Sequence, residues 1–280
     1  MGNTIDWGQA AVNNTIGFGD GAENNTIGWG DIQADSWSPE TNLTGTGGTP
    51  AWTNTLSTTF DGVDDYVDSN FIIPAISTYT FSLWFKMNGV PSIHRNLIGD
   101  MNSSGQSASG RAVLGVRSST GKLFVGMGDN SSFWYDLSSY DLSPYLDNAW
   151  HNIILSVNGT TLIVYIDGLL AHTYTSTVSA GTIGARTYRI GNGLESLSNG
   201  WLGNLDEVSI FSSELSASDV TDIYNLGTPT DLSLLATPPL HWYRMGDGST
   251  YPTINDLGSG SNDGTMNNMS SANFVADVPT

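Results

Sequence analysis

Hydrophobic and polar residues alternate with a period of two through most of the chain after residue 55. Phe81, Leu83 and Phe85, for example, recur at every second position between residues 80 and 85. This alternation is typical of β-strands whose two faces lie in different environments. Many short segments of this kind, separated by glycine-rich turns, predict an all-β fold in which two antiparallel sheets pack as a sandwich.

The clearest group of strands lies near the middle of the chain. Residues 151–157, 160–166 and 169–174 are joined by Asn158-Gly159 and Asp167-Gly168. Both pairs readily adopt the left-handed backbone of a tight hairpin turn, so the three segments predict an antiparallel meander. The middle segment is apolar on both faces, which indicates a strand that lies between two layers.

The first 36 residues contain a repeat of eleven residues and no Lys or Arg. Each unit places an isoleucine two residues before an aromatic residue, so that both side chains share one face; the pairs are Ile5 and Trp7, Ile16 and Phe18, and Ile27 and Trp29. Repeats this short bury their apolar face only against neighbours. We interpret residues 1–36 as an assembly or anchoring arm. The alternative is a flexible tail, because segments rich in Gly and Asn often stay disordered.

Three further segments follow the arm. Residues 37–55, rich in proline and glycine, are a linker, and residues 56–227 carry the strand pattern. A short helix is predicted to begin after Ser216, because Asp219 completes a capping box, and to end at Gly227. Residues 228–280 form a C-terminal extension, which begins with a proline-containing linker and continues into an aromatic strand at residues 241–243.

Charge and composition exclude several classes of protein. The chain has 8 Lys and Arg against 27 Asp and Glu, a formal net charge of −19. Such a chain repels nucleic acid and anionic membranes, so neither is an expected partner. It has no cysteine and no apolar run as long as a transmembrane helix. The N-terminus lacks the basic and apolar regions of a signal peptide, from which we expect synthesis in a cytoplasm without secretion.

Residues 56–226 resemble the laminin-G-like, concanavalin A-like jelly roll. The resemblance is carried by short stretches that occur in the order typical of that family, at residues 60–67, 81–85, 150–153, 164–168, 189–191, 203–211 and 215–216. It implies a sandwich of two curved antiparallel sheets. Residues 240–265 resemble the piece that normally precedes this domain. Here that piece follows the domain, so it either completes the edge of the sandwich or pairs with a neighbouring subunit.

The resemblance also implies a structural calcium ion. In similar jelly rolls this ion commonly sits where an early turn meets the last strand. By that similarity Asp206 would supply a carboxylate, and Asp61 and Gly62 a carboxylate or a carbonyl, which are the hard oxygen ligands that calcium prefers. The alternative is that Asp206 merely caps its strand and that Asp61 supports its own turn.

Glycan binding is the usual function of the family that the chain resembles. The predicted contact residues are aromatic or polar and lie close together in the sequence; they are Trp134, Tyr135, Asp136 and Tyr140. The alternative is that these aromatic residues belong to the core of the sandwich. The hydrolases of the family carry a Glu-x-Asp-x-x-Glu strand, and the Glu residues of the predicted jelly roll do not have that spacing. We therefore expect a protein that is not an enzyme.

The eleven-residue repeat and the C-terminal piece together look like parts of virion proteins of tailed bacteriophages. This similarity implies a head fibre, a decoration protein or a tail-associated protein that displays a lectin-like domain for attachment to host glycans. We expect a homo-oligomer, with a trimer favoured, that contacts other virion proteins through the arm. The alternatives are a polysaccharide-degrading enzyme on the same fold and a purely architectural capsid protein.

Overall fold

The structure, a computed structural model, describes residues 52–72, 76–100, 112–127, 140–175, 187–193 and 199–280. Within it, Thr53–Thr280 form one compact unit. Nine of the predicted site residues lie outside the described residues; they are Ile5, Trp7, Ile16, Phe18, Ile27, Trp29, Trp134, Tyr135 and Asp136. None of the described helices is long and apolar enough to span a membrane.

The described residues form β-strands, one α-helix and short 3-10 helices. The strands are Ser57–Asp61 (β1), Tyr66–Ile72 (β2), Thr78–Asn88 (β3), Arg95–Asp100 (β4), Ala112–Val116 (β5), Leu123–Met127 (β6), Asp147–Asn158 (β7), Thr161–Ile166 (β8), Leu169–Thr175 (β9), Thr187–Ile190 (β10), Leu202–Phe211 (β11), His241–Tyr243 (β12), Thr253–Ile254 (β13), Gly264–Asn267 (β14) and Phe274–Val275 (β15). The helices are Ala217–Tyr224 (α1) and the 3-10 helices Ser143–Tyr145, Asn225–Gly227, Leu232–Leu234 and Ser271–Asn273.

The strands form two antiparallel sheets. Sheet A has the order β15-β1-β11-β3-β7-β8-β9, with β12 paired to β11, and sheet B has the order β13-β14-β2-β10-β4-β5-β6. The predicted meander is present as β7, β8 and β9 in adjacent positions. The prediction of an all-β sandwich of two antiparallel sheets is confirmed.

The period-two alternation separates the core from the outer faces. On β3, Phe81, Leu83 and Phe85 are buried in the cluster between the sheets. Trp84 points to the opposite side, where the ring of Tyr224 from α1 stacks on it with the ring centroids 5.7 Å apart. The helix α1 therefore covers the outer face of sheet A at its central strands. In the core, each fully buried large apolar side chain contributes about 1.5–3 kcal/mol to folding.

The C-terminal extension pairs within its own chain. β12 lies beside β11 and β15 beside β1 in sheet A, while β14 pairs with β2 in sheet B. Residues 228–280 thus add strands to both sheets. Of the two predicted arrangements, completion of the sandwich and pairing with a neighbour, the chain adopts the first.

The predicted capping box begins α1. The Ser216 hydroxyl accepts a hydrogen bond from the Asp219 backbone N–H at 3.1 Å, and the Asp219 carboxylate accepts one from the Ser216 backbone N–H at 2.9 Å. The α-helix ends at Tyr224, before the predicted end, and Asn225–Gly227 continue as a 3-10 turn. All three residues of that turn have positive φ angles, which reverses the chain.

Candidate functional site

The acidic turn between β1 and β2 is held by its own hydrogen bonds. Asp61 accepts a hydrogen bond from the Val63 N–H at 2.7 Å, and Asp65 accepts one from the Asp61 N–H at 3.0 Å. The carboxylates of Asp61, Asp64 and Asp65 lie within 4.8 Å of one another. Burial is the main cause that raises the pKa of Asp65. These bonds agree with the interpretation that Asp61 supports its own turn.

Only part of this turn fits a calcium ion. Three clustered carboxylates are suitable hard ligands for calcium. The Gly62 carbonyl, however, accepts a hydrogen bond from the buried Arg95 guanidinium, which also donates to the Gly200 carbonyl at 2.6 Å. This fixed positive charge lies beside the carboxylates and opposes a bound cation. The Gly62 carbonyl is therefore engaged by arginine and does not match the predicted ligand role.

The structure does not bring Asp206 to this turn. Asp61 is the register partner of Leu202, so Asp206 lies four residues farther along β11, a separation of about 13 Å. The Asp206 carboxylate is fully buried and accepts hydrogen bonds from the Asn54 side chain and the Glu207 N–H, both at 2.8 Å. The structure therefore does not bring the predicted ligands Asp61, Gly62 and Asp206 together at one site. A calcium ion as such stays a prediction.

Asp206 belongs instead to a buried group that we call the β11 carboxylate cluster, which consists of Asp206, Glu207, Asp247 and Arg244. Glu207 accepts hydrogen bonds from the Trp242 indole at 2.5 Å and from the Arg244 guanidinium at 3.0 Å. Arg244 also reaches Asp247 at 3.3 Å. The cluster therefore holds three carboxylates and one guanidinium between β11 and the start of the C-terminal extension.

Burial dominates the electrostatics of the β11 carboxylate cluster. It raises the pKa of Glu207 to about 7, against the opposing effects of Arg244 and Trp242. Burial, followed by the charge of Glu207, raises the pKa of Asp206 well above its usual range. Asp206 and Glu207 are 0% and 3% exposed, so no sugar can reach them. The two carboxylates do not form the accessible pair that glycoside hydrolysis requires.

Tyr140, the described member of the predicted glycan loop, is partly buried. Its ring packs against the core, and its centroid lies 6.1 Å from that of His172. Burial is the main cause that raises its pKa, with a side-chain hydrogen bond to Tyr145 as the next. Tyr140 therefore agrees better with the alternative, in which it packs at the edge of the core.

A more accessible polar and aromatic surface lies on the outer side of sheet B. We call it the Tyr66 face; it comprises Tyr66, Asp68, Asn70, Arg189, Thr265 and Asn267. Thr265 and Arg189 are the register partners of Asp68 on its two neighbouring strands, and Asn267 is the partner of Tyr66. Register partners in a sheet point to the same side. All six residues are at least partly exposed.

Arg189 is the central residue of the Tyr66 face. Its guanidinium carbon lies 3.8 Å from the centroid of the Tyr66 ring, at cation–π distance. Within the described part of the chain, no group accepts a hydrogen bond from this guanidinium, and its Nε atom is buried and unpaired. Asn70 donates to the Thr265 hydroxyl at 3.2 Å. The face thus combines an aromatic ring, a guanidinium, a carboxylate and amides.

Two of the six residues of the Tyr66 face could be placed on one side from the sequence. The alternation of the acidic entry strand places Tyr66 and Asp68 on one side. Arg189 lies about 120 residues away in the chain and Thr265 about 200, and only the sheet register brings them beside Asp68. Period-two patterns identify which residues of one strand share a face, but they contain no information about the neighbouring strand.

Comparisons with known proteins agree with this architecture. A family model described as the concanavalin A-like lectin/glucanases superfamily matches residues 61–221. No curated protein sequence matched the chain. Among solved structures, a putative carbohydrate binding protein from Bacteroides ovatus ATCC 8483 is 16% identical, with a TM-score of 0.55 over 81% of this chain and 62% of that chain.

Two other solved structures also match the chain. The full extracellular region of zebrafish Gpr126/Adgrg6 is 12% identical, with a TM-score of 0.50 over 80% of this chain and 26% of that chain. A heptameric SAP-like pentraxin from Limulus polyphemus is 14% identical, with a TM-score of 0.46 over 61% of this chain and 82% of that chain. The chain spans less than two thirds of the Bacteroides and zebrafish proteins. Identities this low show the fold alone.

Proposed function

The chain belongs to the concanavalin A-like lectin/glucanases superfamily, and from that membership we propose that it is a non-enzymatic, glycan-binding structural protein of a tailed-bacteriophage virion. In this proposal the jelly roll is displayed on a head fibre, a decoration protein or a tail-associated protein. It holds glycans of the host surface through the Tyr66 face. The arm, residues 1–36, joins copies of the chain, with a trimer favoured, and attaches them to other virion proteins.

The observation that carries the glycan proposal is the composition of the Tyr66 face. Sugars present apolar C–H groups to aromatic rings and hydroxyl groups to polar side chains. Tyr66 offers a ring, Arg189 offers a partly exposed guanidinium, and Asp68 offers an acceptor. Hydrogen bonds to charged groups are stronger than those between neutral groups. A single shallow face of this size binds weakly, and several copies on one particle compensate by multivalency.

The virion part of the proposal is supported by sequence features. The repeat arm and the C-terminal piece, residues 240–265, resemble parts of phage virion proteins. Three isoleucine and aromatic pairs on a short arm cannot bury themselves, so association with other copies or with a larger assembly would remove them from water. A net charge of −19 disfavours direct binding to the phage genome.

The enzymatic alternative has little support in the described residues. Asp206 and Glu207 are buried in hydrogen bonds, and Asp61 and Asp65 support a turn. Acid–base hydrolysis needs two carboxylates that face a bound sugar from opposite sides. The architectural alternative differs from the proposal only in the absence of a ligand, so a binding measurement separates the two.

Binding of host-surface polysaccharide tests the proposal. Particles that carry Arg189→Gln or Tyr66→Ala are expected to adsorb to host cells and to bind purified polysaccharide about five- to thirty-fold less tightly, because each change removes a contact worth about 1–2 kcal/mol. Tyr165→Ala, on the opposite sheet, is the matched control and should adsorb normally. Absence of the protein from purified particles, as judged by mass spectrometry, would refute the virion assignment. Unchanged adsorption of both face variants would favour the architectural alternative.

A further inference from the structure

A second surface feature lies on the other side of the sandwich from the Tyr66 face. It is a groove of about 810 Å³ bounded by α1, by the turn at Asp167 and Gly168 between β8 and β9, and by residues 230–237. The stacking of Tyr224 on Trp84 places α1 on the outer face of sheet A. A partner in this groove and a glycan on the Tyr66 face would therefore not compete for the same surface.

Three leucines on the lining of this groove are strongly exposed. Leu169, Leu226 and Leu234 keep 73%, 94% and 81% of their surface in contact with solvent. Single exposed leucines are common on protein surfaces, but several around one groove are typical of an interaction site. Because of these side chains, we call the feature the Leu226 groove.

Leu226 is also held in an unfavourable backbone conformation. Its φ and ψ angles of 58° and 27° lie in the left-handed region, which glycine and asparagine adopt most readily. A bulky L-residue there costs about 1–2 kcal/mol. The strain does not serve burial, since the side chain is almost fully exposed. Strained residues concentrate at sites of recognition and switching.

The polar part of the lining has one sign of charge. It contains Asp167, Asp219, Asp222 and Asp231, and none of the described Lys, Arg and His residues lines the groove. The Asp167 carboxylate already contacts the His151 ring at 2.7 Å. The other three aspartates therefore contribute most of the negative potential in the groove. Grooves lined by one sign of charge attract ligands of the opposite sign. The lining therefore complements a segment that carries both leucine-like and cationic side chains.

We propose that the Leu226 groove docks a cationic amphipathic segment of a protein partner, with apolar side chains against the leucines and lysine or arginine side chains against the aspartates. The chain's own arm is a poor occupant, because residues 1–36 contain no Lys or Arg. A second copy carries the same formal net charge of −19, so the acidic groove repels it. This docking is independent of glycan binding and uses the opposite side of the molecule.

Binding of a model peptide to the full-length chain tests the proposal. The probe is a labelled 14-residue amphipathic Leu-Lys peptide, and its acidic counterpart has Glu in place of Lys. Asp222→Asn combined with Asp231→Asn is expected to weaken binding of the Leu-Lys peptide at least ten-fold. Asp68→Asn combined with Asp263→Asn makes the same change of net charge on the sheet B side and should change it less than two-fold. Equal losses in both double variants would show non-specific attraction and overturn the proposal.

Leu226→Asn tests the apolar contacts of the proposed docking. Asparagine tolerates the left-handed backbone, so this variant is expected to melt at least as high as the wild type while it binds the Leu-Lys peptide at least five-fold more weakly. Unchanged peptide binding would overturn the proposal. Sedimentation addresses a second copy as the occupant: loss of a dimer in Leu226→Asn, with peptide binding retained, would assign the groove to self-association instead.

Discussion

Two glycines with left-handed backbones differ in what surrounds them. Gly191 and Gly159 have φ angles of 77° and 56°. A Cβ atom on Gly191 would lie 2.2 Å from the Phe60 ring, which is buried in the core, whereas a Cβ atom on Gly159 would meet nothing within 4 Å. Gly191 is therefore required by both backbone and packing, and Gly159 by the backbone of its hairpin alone.

This difference predicts unequal costs of the same substitution. Gly191→Ala should lower the free energy of unfolding by about 3 kcal/mol or more, because backbone strain and overpacking against Phe60 add together. Gly159→Ala should lower it by about 1 kcal/mol, from backbone strain alone. Urea denaturation of the two variants measures both values, and equal losses would contradict the close contact between Gly191 and Phe60.

At the scale of elements, β11 is the strand around which the ends of the domain meet. β1 pairs with its first half and β12 with its second half, along the same edge. Between them, Glu207 has a φ angle of 47°, and the register with β3 shifts. The β11 carboxylate cluster fills this junction, and Asp247 accepts the Thr55 N–H at 2.7 Å. The cluster therefore ties the first residues of the domain to its C-terminal extension.

This junction depends on the one guanidinium in the β11 carboxylate cluster. Arg244→Met should lower the free energy of unfolding by about 3 kcal/mol, because it leaves the buried Glu207 carboxylate without its cation. Adding Glu207→Gln to Arg244→Met should recover part of that loss.

Chemical denaturation of the single and double variants measures this coupling. The control is Lys86→Met, which breaks the more exposed pair with Asp277 and should cost less than about 1 kcal/mol. A similar loss in both single variants, with no recovery in the double variant, would contradict a buried ion pair at the junction.

For the whole molecule, buried groups make stability depend on pH. The pKa of Glu207, at about 7, and that of Asp206 are raised mainly by burial. The unfolded chain releases these protons at lower pH than the folded chain, so stability falls as pH rises from about 4.5 to 7. His151 acts in the same direction. Burial alone would lower the pKa of His151, but the neighbouring Asp167 and Asp147 carboxylates raise it overall. The stability that protonated His151 contributes is therefore present below about pH 6.5 and is lost as pH rises above the pKa of the folded state.

Thermal melting should therefore show a higher midpoint at pH 5.5 than at pH 8, by about 5 °C or more. Glu207→Gln should flatten this dependence, because the amide does not titrate. Asp256 and Asp277 limit the gain in stability at low pH. Burial alone would raise their pKa values, but the hydrogen bonds that they accept lower them overall. The stability that these two carboxylates contribute is therefore lost below about pH 4. A midpoint that rises from pH 5.5 to 8 would contradict the burial of Glu207.

Local patterns were sufficient to predict the strands, the meander and the capped helix. A hairpin turn, a capping box and a period-two face each depend on residues only two to four positions apart. The structure shows a hairpin at Asn158-Gly159 and a capping box formed by Ser216 and Asp219, as the sequence predicts. The resemblance to a jelly roll extended these local elements to the correct two-sheet architecture.

The sequence by itself determined which residues form strands, which of their faces is buried, and that the chain carries a large negative charge. Only the tertiary structure decided the long-range partners. It placed Asp206 away from Asp61 and Arg189 beside Tyr66, and it paired strands of the C-terminal extension with both sheets. The reason is physical: strand register and pairing across more than a hundred residues are selected by packing of the complete sandwich, and no local pattern encodes them.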